Sequence, residues 1–420
     1  MPDSAHDDPR RSVSASEPTE AQAGTWHLLR SMPVWPLLAT LAVQTLATMA
    51  MFSVPTVAPE IALDLNVSGA LVGYFVALAY GIGIVSALFA PGLVRKYGGV
   101  RATQAVLAAA AGMLVLAAVG RGVAGIGLAA FVLGLGYGAA APASTHLLVP
   151  QTPRPVFNLV MSFRQIGVPL GGVLAALILP PIVVAAGWRW ALAAELVPIL
   201  LLIIAMEFPR KRWDYDREPD RRVLGKGLIQ PFTLLAEPRF QRLSIAAFVY
   251  SGISLSVIAF TTVQLTTVVG LNLVEAGQML AAYQLASSIT RPIWGWVADR
   301  YITPAQTLAM LGLGMAATSL VTGMYGPHWP IWVLMINALV AGTTSGGYTG
   351  VAYAEYAALG GVRRTEAAGL GTAIMFFGGM AVPAVFGMSV AAWGGYGTSY
   401  TIGAACALVS ALLLLLPNRR

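Results

Sequence analysis

Two arginines stand alone inside long apolar stretches, Arg164 in NLVMSFRQIGVPLGG and Arg291 in YQLASSITRPIWGWVAD. A guanidinium presents planar, paired N–H donors that match a carboxylate, and it stays charged at any physiological pH. Buried in hydrocarbon, such a charge costs at least ~2.5 to 3.5 kcal/mol, so each arginine calls for a partner or a function. No acidic residue lies near the middle of either stretch. The chemistry this suggests is the binding of a small anion. Helical spacing adds neutral polar groups beside one of them: Gln284, Ser288 and Arg291 follow i, i+4, i+7, with Ser287 at the border of the stripe. Gln44, Thr45, Thr48, Tyr80, Tyr250, Ser254, Asn337, Ser345 and Tyr348 are weaker candidates for lining the same space. Ser and Thr also commonly bond their own helix backbone, and Tyr anchors at interfaces. The competing reading of Arg164 is snorkelling toward the headgroups; that of Arg291 is support of a neighbouring helix end.

The elements that carry these residues are membrane spans. With 57% hydrophobic and 10% charged residues in 420, and a mean hydropathy of +0.72, the composition excludes a soluble domain. The apolar residues divide into stretches of roughly 20, the length that crosses a ~30 Å hydrocarbon core as helix. Twelve spans are predicted: 36–57, 69–93, 102–119, 124–146, 156–180, 188–208, 243–267, 275–298, 305–325, 329–351, 366–390 and 396–416. Counted from Pro155, Arg164 lies about 13 Å along the fifth span, and Arg291 lies about 12 Å from Asp299 along the eighth. The two arginines are therefore expected at similar depth.

The domain organisation follows: a polar tail over 1–30, six spans over 31–208, a charged linker over 209–242 and six spans over 243–420. Within the linker, IQPFTLLAEPRFQR has apolar residues at Phe232, Leu234, Leu235 and Phe240; it reads as a flexible connector or a short amphipathic helix on the membrane surface. Of the 25 Lys and Arg residues, all but Arg121, Arg189, Arg164 and Arg291 fall on the side of the linker and both termini. By the positive-inside rule that side is cytoplasmic, which accounts for the net charge of +7 without nucleic-acid binding. The four histidines are scattered, Cys406 is the only cysteine, and no metal-ligand spacing, phosphate loop or nucleophile elbow appears. No metal, cofactor or enzymatic activity is expected.

The halves echo each other. PGLVRKYGGVRA (91–102) matches WGWVADRYITPA (294–305), with Lys96 on Arg300 and Arg95 on Asp299, and FRQIGVP (163–169) matches FGGMAVP (377–383). Two six-span repeats joined by a long loop, with GWVADR at 295–300, resemble the major facilitator superfamily over residues 30–418. Its loop motif is Gly, three residues, Asp, then Arg or Lys. The resemblance implies an all-α membrane protein of twelve transmembrane helices in two pseudo-symmetric six-helix bundles, with substrate held near the midplane between them and reached by alternating access. It also implies a gate at Gly295, Asp299 and Arg300, and at Lys96 and Arg101 in the first copy. Ile302 stands where glycine is usual, and in the first copy Pro91 replaces the glycine and Arg95 the acid. A latch in the first half therefore lacks its local carboxylate, and Asp299→Asn is expected to matter more than Arg95→Asn. RPIWGWVAD further resembles the eighth span of bacterial monocarboxylate and organic-anion porters, which implies that Arg291 binds the substrate carboxylate. GVPLGG partly resembles an antiporter glycine-proline motif, but with one residue inserted.

The expected function is secondary active transport of a small organic anion, a carboxylate, across a bacterial inner membrane. Arg164, Arg291, Gln284, Ser288, Gln44, Tyr80, Tyr250 and Asn337 are the expected substrate contacts. Glu195, about seven residues inside the sixth span, is the candidate for proton coupling; symport, exchange and facilitated diffusion all stay open. The alternatives are efflux of hydrophobic or cationic compounds, which calls for an apolar cavity with a buried acid, and transport of an inorganic anion of the nitrate or cyanate type.

Overall fold

The computed structural model describes residues 32–65, 71–120, 122–215, 217–218, 230–271, 273–327 and 329–417, so the tail, Arg121 and the middle of the linker lie outside it. Among the described residues all regular structure is helical. The first half comprises α1 (Val34–Thr56), α2 (Leu71–Tyr97), α3 (Gly99–Val119), α4 (Gly122–Tyr137 continued by Ala140–Leu148), α5 (Phe157–Gln165 continued by Gly167–Ala186) and α6 (Trp188–Ala194 continued by Leu196–Ala205). The second half comprises α7 (Pro238–Gln264), α8 (Leu273–Arg300), α9 (Pro304–Gly323), α10 (Ile331–Gly360), α11 (Arg364–Trp393) and α12 (Tyr396–Leu415).

Among the described residues, ten segments are long and apolar enough to cross a membrane, one of them the joined pair α10 and α11 over Ile331–Val390. The twelfth helix, α8, falls short because Gln278, Gln284, Ser287, Ser288, Thr290 and Arg291 dilute its apolar residues. Its polarity already marks it as a helix that faces something other than lipid. The lipid-facing surface is plain in α6, where Leu200, Leu201 and Ile204 are exposed on a helix with no polar face.

Val43, Ala47, Met113, Leu133 and Ala191 belong to one core within the first half. The core of the second half, around Tyr250, Leu311, Met315 and Tyr400, also takes in Leu148, Val160 and Met161 from α4 and α5. The halves thus share packed apolar side chains at the end of the bundle that carries the linker, here called the linker end. All hydrogen bonds between the halves, among the described residues, run from the middle of the bundle to that end. The molecule is closed there.

Helices run past several predicted ends. α10 continues to Gly360 rather than 351, and α5 to Ala186 rather than 180. The α10 extension is rich in small residues and Tyr, which bury against neighbours in place of lipid. α7 starts at Pro238, five residues before the predicted span, because proline suits the first helical position. The amphipathic surface helix offered as the alternative to a flexible connector is not formed: Gln230–Ala236 is a 3₁₀ segment whose Leu234, with Phe240, is buried in the second-half core. Earlier in the linker, Asp214 folds back to accept the Val100 N–H at 2.8 Å, which caps α3. Gly98, at φ +96°, makes room for it, since a Cβ there would lie 2.2 Å from the carboxyl carbon. Burial pushes the Asp214 carboxyl above its ordinary range despite the N–H groups of Val100 and Arg101.

Candidate functional site: a cavity with one charge

Between the halves lies a cavity of about 150 Å³. The first half contributes Gln44, Phe52, Tyr80, Tyr137 and Gln165; the second contributes Ser251, Ser254, Tyr283, Gln284, Ser287, Arg291, Tyr348, Tyr353, Thr372 and Phe376. Arg291 is the only charged side chain among the described residues that line it. Phe376 of α11 closes one wall, stacked on Tyr137 at 5.7 Å and edge-on to Tyr80 at 5.0 Å. Tyr283 shares hydrogen bonds with Ser254 at 3.1 Å and Ser345 at 2.6 Å, which hold α7, α8 and α10 together beside the cavity.

Both arginines are held by neutral groups, and one residue joins them. Arg291 donates from Nη1 to the Gln165 carbonyl at 2.7 Å, and from Nε and Nη2 to Ser287 Oγ at 3.3 Å. Arg164 donates to the side-chain oxygen of the same Gln165 at 2.5 Å and to Ser144 Oγ, with its guanidinium 5.2 Å from the Tyr353 ring. Its Nε has no partner. Neither arginine pairs with a carboxylate among the described residues.

Several expected contacts are placed otherwise. Arg164 is fully buried, which rules out snorkelling, but it sits behind the wall rather than in it, drawn away by Ser144 and Gln165. Ser288 spends its hydroxyl on the Gln284 carbonyl at 2.8 Å, and Ser287, one position earlier, takes its place in the polar stripe. Tyr250 is buried against Tyr348 and Gly312 and does not line the cavity. Asn337 lies in a separate void of about 20 Å³, bonded to Thr322 and Tyr325. Arg291, Gln284, Gln44 and Tyr80 do line the cavity. Gln165, Tyr137, Tyr353 and Thr372 line it and were not singled out from sequence; Gln165 carried a signal, as the polar neighbour of Arg164 in an apolar run.

Glu195 is away from the cavity, 3% exposed at the break in α6, with Oε1 against the Ser53 hydroxyl and Oε2 without a partner. Ser53 Oγ also lies 2.7 Å from the Met49 carbonyl.

The repeated turns meet the other half in different ways. Asp299 accepts the N–H of Asn158 at 3.0 Å, the Asn158 side-chain amide at 2.7 Å and the N–H of Leu159 at 2.9 Å, so it caps α5 from across the interface. Gly295 makes this possible: a Cβ there would lie 2.5 Å from the Asn158 carbonyl oxygen and 2.8 Å from Leu159 Cα. Arg300 is exposed and forms no ion pair among the described residues. In the first copy, Arg95 pairs with Glu366 of α11 at 2.8 Å and donates to the Val362 carbonyl at 3.0 Å. The carboxylate missing from the turn is thus provided by the other half. Lys96 lies 5.6 Å from the Tyr97 ring, and Arg101 pairs with Glu207 at 2.9 Å.

The pattern described as Major Facilitator Superfamily matches residues 105–355 and 243–420. No curated protein matches the sequence. Among solved structures, the chain is similar to the transporter FucP in its outward conformation, with a TM-score of 0.72 at 16% identity, covering 90% of this chain and 97% of that one. The proton:xylose symporter XylE is similar at TM-score 0.67 and 17% identity, covering 92% and 94%. The human organic anion transporter MFSD10 is similar at TM-score 0.66 and 15% identity, covering 91% and 99%.

Proposed function

The chain belongs to the Major Facilitator Superfamily, and from that premise we propose that this integral membrane transporter carries a small organic carboxylate by alternating access, with its linker end facing the cytoplasm. One observation carries the proposal: the central cavity holds a single charge, the Arg291 guanidinium, with no acid among the described residues to neutralise it. A carboxylate supplies that missing charge with bidentate geometry, while Ser287, Gln284, Gln165 and the tyrosine hydroxyls offer neutral contacts for the rest of the molecule. Arg164 acts from behind, holding Gln165 and adding positive potential to the same wall. The cavity is well below the ~300 Å³ at which pockets for drug-sized ligands begin, and it lacks the acid that a cationic efflux substrate would need. That an organic anion transporter and proton symporters are among the similar folds is compatible with this substrate and with proton coupling.

Glu195 is the group we assign to the proton. The Ser53 hydroxyl has one hydrogen and two acceptors in reach, the Met49 carbonyl and the Glu195 carboxyl; both contacts form as hydrogen bonds when Glu195 carries a proton. The test is uptake into proteoliposomes of mono- and dicarboxylates, nitrate, sugars and cationic dyes, with and without a pH gradient. Saturable carboxylate uptake, lost in Arg291→Ala and driven by an inward proton gradient in the parent but not in Glu195→Gln, is expected. Uptake confined to sugars or dyes, or carboxylate uptake indifferent to Arg291→Ala, overturns the proposal.

A further inference from the structure

On the outer wall of the first half, at the linker end, α2, α3 and α4 part to form a second cavity of about 670 Å³, larger than the central one. Its floor is made of small or slender residues, among them Ala90, Ala102, Ala105 and Ala109. It opens sideways between Leu93 and Leu135, which are 40% and 50% exposed on the apolar perimeter of the bundle. Its rim is different in kind: Lys96, Arg101, Arg210 and Arg217 converge there. Glu207 engages Arg101 at 2.9 Å and Arg210 at 2.7 Å. Lys96 and Arg217 have no carboxylate partner among the described residues.

An apolar slot opening into the hydrocarbon, with a basic rim at the level where the helices end, has the two-part chemistry of one class of molecule. We infer that this groove binds an anionic phospholipid of the leaflet on the linker side, its phosphate between Lys96 and Arg217 and an acyl chain in the alanine-floored slot. A soluble phosphate compound would use the rim and leave the slot empty. A zwitterionic lipid would fill the slot but gain little from the rim, because its choline neutralises the phosphate.

Native mass spectrometry of the full chain tests this, with phosphatidylglycerol and phosphatidylcholine of identical acyl chains added to delipidated protein. The expected result is one phosphatidylglycerol retained per chain in preference to phosphatidylcholine. Lys96→Gln with Arg217→Gln is expected to weaken that retention on the order of tenfold to thirtyfold, the scale set by removing two basic residues from an anionic surface. Lys211→Gln with Arg212→Gln, which removes the same charge from exposed neighbours outside the groove, leaves it within about twofold. Ala105→Trp, at an exposed position on the floor, displaces the lipid with every charge in place. Equal retention of the two lipids, an equal loss in the two double variants, or full retention in Ala105→Trp overturns the assignment.

Discussion

At the α8–α9 turn, Asp299 binds the amide groups that begin α5; at the equivalent α2–α3 turn, Arg95 binds Glu366 in the first turn of α11. In both places a turn of one half grips the start of a helix in the other, and in both a carboxylate lies between them. The second repeat puts the carboxylate on the turn, where it meets the positive end of the α5 dipole directly. The first repeat puts it on the helix, where Glu366 still favours the N-terminus and the turn answers with a base. The attraction is kept although the sign at the turn is reversed, so a sequence departure from the family motif is here a change of partner rather than a loss of the latch. The two grips differ in what they tolerate: one depends on opposite formal charges, the other on amide geometry and a close helix approach.

Reversing the charge at the first grip is the strongest way to break this comparison. Arg95→Glu sets a third carboxylate beside Glu366 and Glu218, and with side chains only 16% and 8% exposed in the native pair the loss is about 3 kcal/mol. Pulsed electron-spin distances between labels on the two halves should show the linker end opening, and adding Glu366→Arg should close it again. If the reversed pair stays open, the grip is not electrostatic. At the second grip, Gly295→Ala should separate α8 from α5 at a cost of about 2 kcal/mol, read by the same distances, because a methyl group would meet the α5 backbone. Asp299→Asn should be milder, about 1 to 1.5 kcal/mol, since one amide oxygen still accepts part of what the carboxylate accepted; thermal unfolding with substrate absent measures it. The smallest change should come from Asp214→Asn, within about 0.5 kcal/mol by the same melting assay, because the amide keeps the bond to Val100 and removes a charge that burial already disfavours. Comparable opening by Arg95→Glu and Asp299→Asn would put the two turns on a par.

The fold was legible because its information is local: span length, apolar content and the position of Lys and Arg are properties of short segments, and GWVADR fixed which loop repeated. Arg291 was legible for the same reason, as a charge that apolar neighbours cannot satisfy. The partner of Arg95 was not, because Glu366 lies 271 positions away and looks like an ordinary acid at a loop edge. The offset from Ser288 to Ser287 has a different origin. Both fit a helical stripe within one residue, and the choice depends on helix rotation, which packing against α10 decides: a Cβ on Gly346 would lie 2.3 Å from Ser287 Cβ. Tyr250 and Asn337 failed for a third reason. A polar side chain in a span can be satisfied inside its own bundle, and Thr322 with Tyr325 does this for Asn337. Gln165 was missed because its role is split between two atoms: its side-chain oxygen accepts from Arg164 on its own helix, and its main-chain carbonyl accepts from Arg291 across the interface.

That carbonyl has a kinetic consequence. Arg291 reaches across the interface to the Gln165 carbonyl, while Gln165 answers Arg164 on its own helix. Rocking the halves apart at the linker end draws α8 from α5, and the bond from Arg291 to Gln165 breaks with it. Under the proposed carboxylate cycle, an empty carrier then strands a guanidinium without its acceptor, whereas a loaded one hands it to the carboxylate. The same proposal expects reorientation to be slower empty than full, so that cargo on the receiving side should accelerate flux from the other, and one-for-one exchange should outrun net movement.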